Sequence, residues 1–272
     1  MVSSGPPILG RLTRVTYAAL VRTRRMTRRF APLPQVPTAV VADLLDLASR
    51  APSAGNTQAT DYVVLQDRED RDRFWAAATP APGTHRHSPE VIRATSPEAV
   101  PLPPGALAGG ASGEHPHVGE PSSGVGWRAG VCAAPTLILC LADEPAYRRR
   151  YAEPDKGGIP PGAQDWPIPY WLTDTAMGAM VLLLGAHDAG LGALFFGIPG
   201  PRHDAVREAF GIPPHRALVG VIALGHQARR VRSPSLRRRR RRGPEVTHWG
   251  RFGVVTPPPS SPSETMPGKP TS

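Results

Sequence analysis

Residues 80–126 constrain this chain more than any other stretch. Their 47 positions hold nine prolines and eight glycines, with few large apolar side chains. Too little surface can be buried there to offset the entropy of ordering the backbone, so the stretch reads as an inserted loop, disordered or a lid. A folded core must then come from 11–79 and 127–252, as one domain over 11–252 that the insertion interrupts. Residues 1–10 and 254–272, the latter with its Pro257-Pro258-Pro259 run, read as disordered termini. With the prolines and glycines so gathered, a hydrophobic content of 40% is enough for the remainder to fold.

Charge is gathered as well. Residues 11–29 carry seven arginines and no acid, and 229–242 carry nine and no acid, ending in Arg237 to Arg242. The net charge is +10, so the rest of the chain sums to −6. An acidic body thus bears two basic segments that could face phosphate in a nucleic acid, a membrane or a cofactor. Two cysteines, Cys132 and Cys140, exclude a disulfide scaffold and a four-cysteine zinc site, and read as buried free thiols. The opening MVSSGPPILG lacks the charged and apolar regions of a signal peptide, and the apolar stretch from Ala176 to Ile198 is broken by His187, Asp188 and glycines. A soluble cytoplasmic protein is expected.

Periodicity supplies the elements. Leu12, Val15, Ala19 and Leu20 recur at helical spacing, predicting a first helix that ends near Arg24-Arg25. Pro37 suits the first turn of a second, with a stripe of Val40, Val41, Leu44, Leu45 and Ala48, ending before Pro52. A strand is expected over Tyr62–Leu65 and a helix over Glu69–Ala78. PTLILCL, Pro135 to Leu141, has the uninterrupted apolar character of a strand covered on both faces. A long helix from Leu172 to Ala189 should stop at Gly190, followed by a strand (Ala193–Phe196), a helix (His203–Phe210) and a strand (Ala217–Leu224). No βαβ unit repeats strictly, which favours an α+β layer fold with a mixed or antiparallel sheet.

Four patterns could carry chemistry. TRRMTRRF, Thr23 to Phe30, sets Arg24, Arg25, Arg28 and Arg29 at a helix end, where guanidinium forks match phosphate; a solvated basic face is the plainer reading. RAPSAGNTQ, Arg50 to Gln58, offers close backbone approach and the amides of Asn56 and Gln58, suited to the edge of a heterocycle or to an ordinary polar turn. GLGALFFGIPG, Gly190 to Gly200, fails the dinucleotide fingerprint because Phe195 stands where its third glycine belongs and a helix precedes the strand. Its Gly197 could lie flat against a planar ring, against a core-packing reading for Leu194. The run up to Arg242 is a solvated or nucleic-acid-binding segment, or supplies one or two arginines to a phosphate. No G-x-S-x-G and no P-loop occurs, the pairs His85/His87 and His115/His117 fall in the insertion, and Asp174 and Asp188 cannot be set facing each other from spacing.

In this order and spacing the pieces resemble the FMN-dependent nitroreductase family: RRMTRRF, then RAPSAGNTQ, then GLGALFFGI after an apolar helix, then VGVIALGH and a C-terminal arginine. YAEPDK (Tyr151 to Lys156) and DWPIPYW (Asp165 to Trp171) are similar to a branch found in high-GC, actinobacterial species. The resemblance implies that Arg24 and Arg25 serve the flavin phosphate and ribityl end, and Arg28 the pyrimidine side. It implies that Pro52, Ser53, Ala54, Asn56 and Gln58 line the flavin, and that Phe196, Gly197 and Ile198 offer backbone near N5. Arg240 or Arg242 would meet the phosphate. Met26 stands where many members have serine, and Ala59-Thr60 where Pro-Trp is common.

The implied chemistry is ping-pong: NAD(P)H, with NAD or NADP as the nicotinamide, gives a hydride to FMN N5, and an electron-poor acceptor such as a nitroaromatic or quinone then takes the electrons. The flavin performs the redox step, so no catalytic side chain and no metal is called for. The implied assembly is a homodimer with FMN at the interface, the first helix and C-terminal segment crossing to the partner. Two alternatives are a nucleic-acid-binding protein using Arg237–Arg242, which is not the expected partner class since no aromatic residue interleaves with that run, and a flavin-storage protein without turnover.

Overall fold

The computed structural model describes residues 16–79, 124–164, 166–228 and 237–256. The insertion expected over 80–126 lies outside them except for its last three residues, as do residues 1–10 and the tail from 257. The chain divides into two compact units, with the boundary between Arg230 and Val231.

The first unit is built on a four-stranded antiparallel sheet in the order β1-β2-β4-β3, from β1 (Thr60–Leu65), β2 (Thr136–Asp143), β3 (Gly192–Phe196) and β4 (Arg216–Gly225). Side chains alternate across the central strands. Ile138, Cys140, Ile222 and Leu224 face α2 (Thr38–Ser49) and α6 (Tyr170–Asp188), packing on Val41, Leu44, Ala179, Leu182 and Leu183. Leu137, Leu139, Leu141, Val221 and Ala223 face the other way, onto Phe74 and Ala78 of α3 (Arg68–Ala78), Val131 of α4 (Gly124–Cys132) and Val206 of α7 (His203–Ala209). Every residue of β2 is buried, as its unbroken apolar run requires. Cys132 and Cys140 are free thiols, and burial pushes Cys140 up to about 12.

The expected elements form with small shifts of their ends. The first helix, α1, spans Tyr17–Thr23, and Leu12 and Val15, counted toward it, lie outside the described residues. Pro37 caps α2 instead of opening its first turn. Gly190 ends α6 with φ +73°, and the Leu191 N–H donates to the Ala186 carbonyl at 2.8 Å while the Gly190 N–H donates to that of His187 at 3.1 Å, a double closure of the last turn. Two helices have no counterpart in the periodicity. The glycine-rich α4 begins inside the last residues of the insertion, and α5 (Glu144–Tyr151) carries three consecutive arginines. Asp143 starts α5 by accepting from the Ala146 N–H at 3.2 Å, and its buried carboxylate pairs with Arg216 at 2.8 Å. Among the described residues no helix is long and apolar enough to cross a membrane.

In the second unit the described residues are 237–256. A 3₁₀ turn at Gly243–Glu245 is followed by a tight turn in which the Trp249 N–H donates to the Val254 carbonyl at 2.7 Å. Residues 254–256, expected to open a disordered tail, are thus described, and Val254 closes this turn.

Candidate functional site

The N-terminal arginines leave the helix at once. Arg24 caps α1 with extended angles (φ −53°, ψ 133°), and the chain from there passes the start of β3 at Ala193 and by Phe30 pairs with residues 226–228 beyond β4. Met26 forms a parallel bridge to Ala193, the Thr27 N–H donates to the Ala193 carbonyl at 2.9 Å, and the Phe30 N–H donates to that of Gly130 at 3.1 Å. Three side chains fix this path: Phe30 and Thr27 are buried, and Met26 packs against both cores. Arg28 and Arg29, expected at a helix end, therefore sit on an extended segment, because burial of their apolar neighbours outweighs continuation of α1. Arg24 and Arg28 are half-buried and Arg25 is exposed, its Nη1 donating to the carbonyls of Arg22 (2.6 Å) and Arg24 (2.7 Å). Met26, where a serine hydroxyl is common in the family, is here a packing residue.

From Ala193, where this segment meets it, β3 runs on to Phe196 and is followed by Gly197 and Ile198. The Phe196 ring stacks on Trp75, centroids 5.6 Å apart and planes 8° from parallel, and meets Phe74 edge-on. Its side chain is thus committed to the core. Gly197 is exposed, with open space where a Cβ would stand. The Ile198 carbonyl lies 3.1 Å from His203 Nε2.

The loop from Pro52 to Gln58 is tightly wound, with three residues in left-handed conformation: Gly55 (φ +64°), Asn56 (+54°) and Gln58 (+52°). Two of these are not glycine, a local strain that persists only when surrounding contacts over-determine it. Those contacts come from α5 and α6. Asp174 Oδ2 accepts from the Ala54 N–H at 2.7 Å and from the Tyr147 hydroxyl at 2.7 Å. Ser53 Oγ accepts from the Gln58 N–H at 2.9 Å and lies 3.3 Å from Tyr147 Oη. Tyr147 has one proton and gives it to Asp174, so the Ser53 hydroxyl donates to Tyr147 and is spent inside the protein. Burial holds the Tyr147 hydroxyl protonated, well above the usual phenol range. Arg150 Nε donates to the Gly55 carbonyl at 2.9 Å, and its guanidinium is gripped by Glu153 (2.7 Å) and by both oxygens of Asp155 (2.6 and 2.7 Å).

The loop's outer side is left to Asn56 and Gln58, both exposed. Gln58 Nε2 donates to Asn56 Oδ1 at 2.9 Å, leaving the Asn56 amide protons and the Gln58 carbonyl as an adjacent donor and acceptor. Pro52 is exposed and Ala54 half-buried. Behind the loop an aromatic cluster joins Tyr147, Tyr151, Trp166, Tyr170 and Trp171. Tyr151 lies against Gly55, where a Cβ would come within 3.0 Å of its ring. YAEPDK and DWPIPYW therefore buttress the loop.

In the second unit Arg239 pairs with Glu245 at 2.6 Å and Arg241 donates to the Glu245 carbonyl, whereas the side chains of Arg237, Arg238, Arg240 and Arg242 are exposed with no partner among the described residues.

Most candidate residues of the first unit fall into two groups. Arg24, Arg25 and Arg28 lie by the start of β3, where Met26 bridges Ala193, while the 52–58 loop leads into β1 at the opposite edge of the sheet; residues 196–198 follow the other end of β3 and belong to neither group. Helix α6 measures the gap. Its Asp174 holds the loop, and its His187, thirteen residues on, meets Thr23 Oγ1 at 2.9 Å beside the arginines. At 1.5 Å per residue the two groups stand about 20 Å apart. Asp174, Tyr147 and Arg150 were not among the candidates. A signal for the first was present: Asp174 is the one charged residue between Leu172 and Ala186.

The chain is similar to known proteins over most of its length. The family model described as Nitroreductase family matches residues 21–226. A 4-nitrobenzoate reductase of Nocardioides sp. (strain LMS-CY) is 32% identical over 232 residues, covering 81% of this chain and 84% of its own. Among solved structures, a nitroreductase family protein of Clostridium difficile 630 aligns with TM-score 0.52 at 17% identity, over 86% of this chain and 97% of its own. An FMN-dependent nitroreductase of Clostridium difficile R20291 aligns with TM-score 0.50 at 15% identity, over 86% and 98%. With a family match across both candidate groups and the α+β fold shared with these structures, the chain belongs to the nitroreductase family.

Proposed function

We propose that the protein is an FMN-dependent oxidoreductase that moves electrons from NAD(P)H to an electron-poor acceptor such as a nitroaromatic or a quinone. The observation that carries this reading is the arginine segment fixed by hydrogen bonds at the start of β3, together with the exposed, uncovered backbone at Gly197 just past that strand's other end. The donor set suits FMN. Arg24 and Arg25 would hold the phosphate and ribityl end, and Arg28 would face the pyrimidine edge. The main chain at Phe196, Gly197 and Ile198 would lie against the ring, and Pro52, Ala54, Asn56 and Gln58 would line it, Ser53 contributing backbone since its hydroxyl is engaged internally. When bound, the flavin accepts a hydride from the nicotinamide and passes the electrons on. The protein's part is to orient it and, through Arg28, to favour negative charge at the pyrimidine ring.

The 20 Å separation of the two groups supports a homodimer. Along α6 the exposed side includes Met177 (43%) and Met180 (38%), with Tyr17 and Val21 of α1 and Leu47 of α2 also exposed. A helix apolar on nearly every side is one that expects cover. Two copies paired through antiparallel α6 helices about a two-fold axis would set the loop of one beside the arginines of the other, giving two complete sites. The test is a spectrum: purified or FMN-reconstituted protein should show flavin absorbance that NADH or NADPH bleaches without oxygen. A protein that cannot be loaded with FMN overturns the reading, and one that binds FMN but never bleaches is the storage protein.

A further inference from the structure

We propose that Asp174 is the positioning residue of the flavin loop, acting through the Ala54 amide and Tyr147; the role in flavin binding rests on the reading above. Asp174 is 6% exposed, one turn into α6 and the one charged residue between Leu172 and Ala186, and no cation pairs with it among the described residues. An ionisable group buried in that way costs stability unless its hydrogen bonds repay the desolvation. Here they are spent on the loop. One oxygen, Oδ2, takes both the Ala54 N–H and the Tyr147 hydroxyl, and the Thr173 hydroxyl reaches Oδ1 at 3.3 Å. Tyr147 carries the constraint onward to Ser53, and Ser53 to the Gln58 N–H. The anchored stretch thus begins at Ala54 and closes at Gln58, spanning the three left-handed residues and the Asn56–Gln58 amide pair.

The direction of the chain makes Asp174 its terminus. Tyr147 donates inward and Ser53 donates to Tyr147, so each hydroxyl is oriented by the next acceptor and the series needs an accepting oxygen at its end. A carboxylate provides that. Arg150 holds the opposite side of the turn through the Gly55 carbonyl, so loss of Asp174 should loosen Ala54 and Gln58 without detaching the loop.

Two readouts on full-length protein test this. In the apoprotein, amide hydrogen exchange at 54–58 should quicken about 10- to 100-fold in Asp174→Ala, the range for losing a hydrogen bond to a charged group, while amides of β2 and β4 keep their protection. For FMN, the dissociation constant followed by flavin fluorescence should rise by a similar factor. Asp174→Asn keeps an oxygen able to accept both bonds and should restore most of each effect. If Asp174→Ala does not accumulate, Tyr147→Phe, which removes one hydroxyl and little volume, should quicken exchange at Gln58 several-fold. Exchange that rises equally across β2 and β4 makes Asp174 a general stabiliser and overturns the proposal, as does exchange at 54–58 matching wild type. Failure of the wild type to bind FMN refutes the flavin reading alone, because the exchange measurement needs no flavin.

Discussion

Gly130→Ala separates two expectations of opposite sign. Gly130 lies in α4, and an alanine inside a helix is ordinarily worth about 1 kcal/mol over glycine. Read as an isolated helix, the substitution should stabilise. In the fold, a Cβ at this position would overlap the Arg28 carbonyl oxygen and stand 2.9 Å from Arg29 Cγ. A carbon meets a carbonyl oxygen no closer than about 3.3 Å, so the arginine segment would have to retreat by about 1 Å. That retreat strains the hydrogen bond from the Phe30 N–H to the Gly130 carbonyl, now 3.1 Å, and lifts Phe30 from the core. Overpacking costs about 1–3 kcal/mol and the lost hydrogen bond about 1, against the 1 gained, for a net loss of about 1–3 kcal/mol. For a unit of this size that lowers the midpoint of thermal unfolding by about 2–12 °C. Calorimetry on the apoprotein measures it, and FMN titration should show weaker binding, since the displaced segment carries Arg28. A midpoint that rises, or stays within a degree of wild type, refutes the close packing of α4 against this segment.

Other expectations follow from the same contacts. Asp143→Ala strips Arg216 of its buried partner and α5 of its cap, and should cost about 3 kcal/mol in chemical denaturation; a change under 1 kcal/mol would show that Asp61, 2.8 Å from Arg216, suffices. The Arg150 hydrogen bonds hold the Asp155 carboxyl below its ordinary 3.8, so this clamp on Gly55 is complete above that value and is lost as pH falls through the lowered one. Amide protection at 55–56, corrected for intrinsic exchange, should be flat from pH 8 to about 4 and decline below; Asp155→Asn should reduce it already at pH 6, and an unaltered value would remove the clamp. The two-chain site is checked by mixing an Arg24→Ala/Arg25→Ala variant with an Asn56→Ala/Gln58→Ala variant, each inactive alone. Re-associated at equal concentration, half the dimers are hybrids with one intact site each, giving about a quarter of wild-type activity; a site contained in one chain gives none.

The fold was legible where the chain is apolar and periodic. PTLILCL could only be a covered strand, and the glycine after α6 marked its end, because burial and left-handed backbone leave few alternatives to such residues. Helix α5 was not legible, since EPAYRRRY is mostly polar and its one buried side chain, Tyr147, is fixed by contacts distant in sequence. The turn of Arg28 and Arg29 out of the helix was hidden for a related reason. Arginines and a threonine read equally well as a helical surface, and only the docking of Met26, Thr27 and Phe30 against β3 and its surroundings decides for an extended path.

The site was legible as chemistry and illegible as geometry. The arginines, the small polar loop and the open backbone at Gly197 each announce a kind of contact from local composition alone. Their partition does not, because it depends on α6 running from one group to the other, and the length of a helix says nothing of what its two ends touch until Asp174 is seen on Ala54 and His187 on Thr23. Once those contacts are known, the helix that separates the groups within a chain also carries the exposed methionines through which a second chain would bring them together. One element thus sets both the distance to be spanned and the surface for spanning it. On the proposed two-chain site, the Asp174 carboxylate would have a physical reason to be buried at that end: half a site presented to another molecule has to keep its shape before the other half arrives.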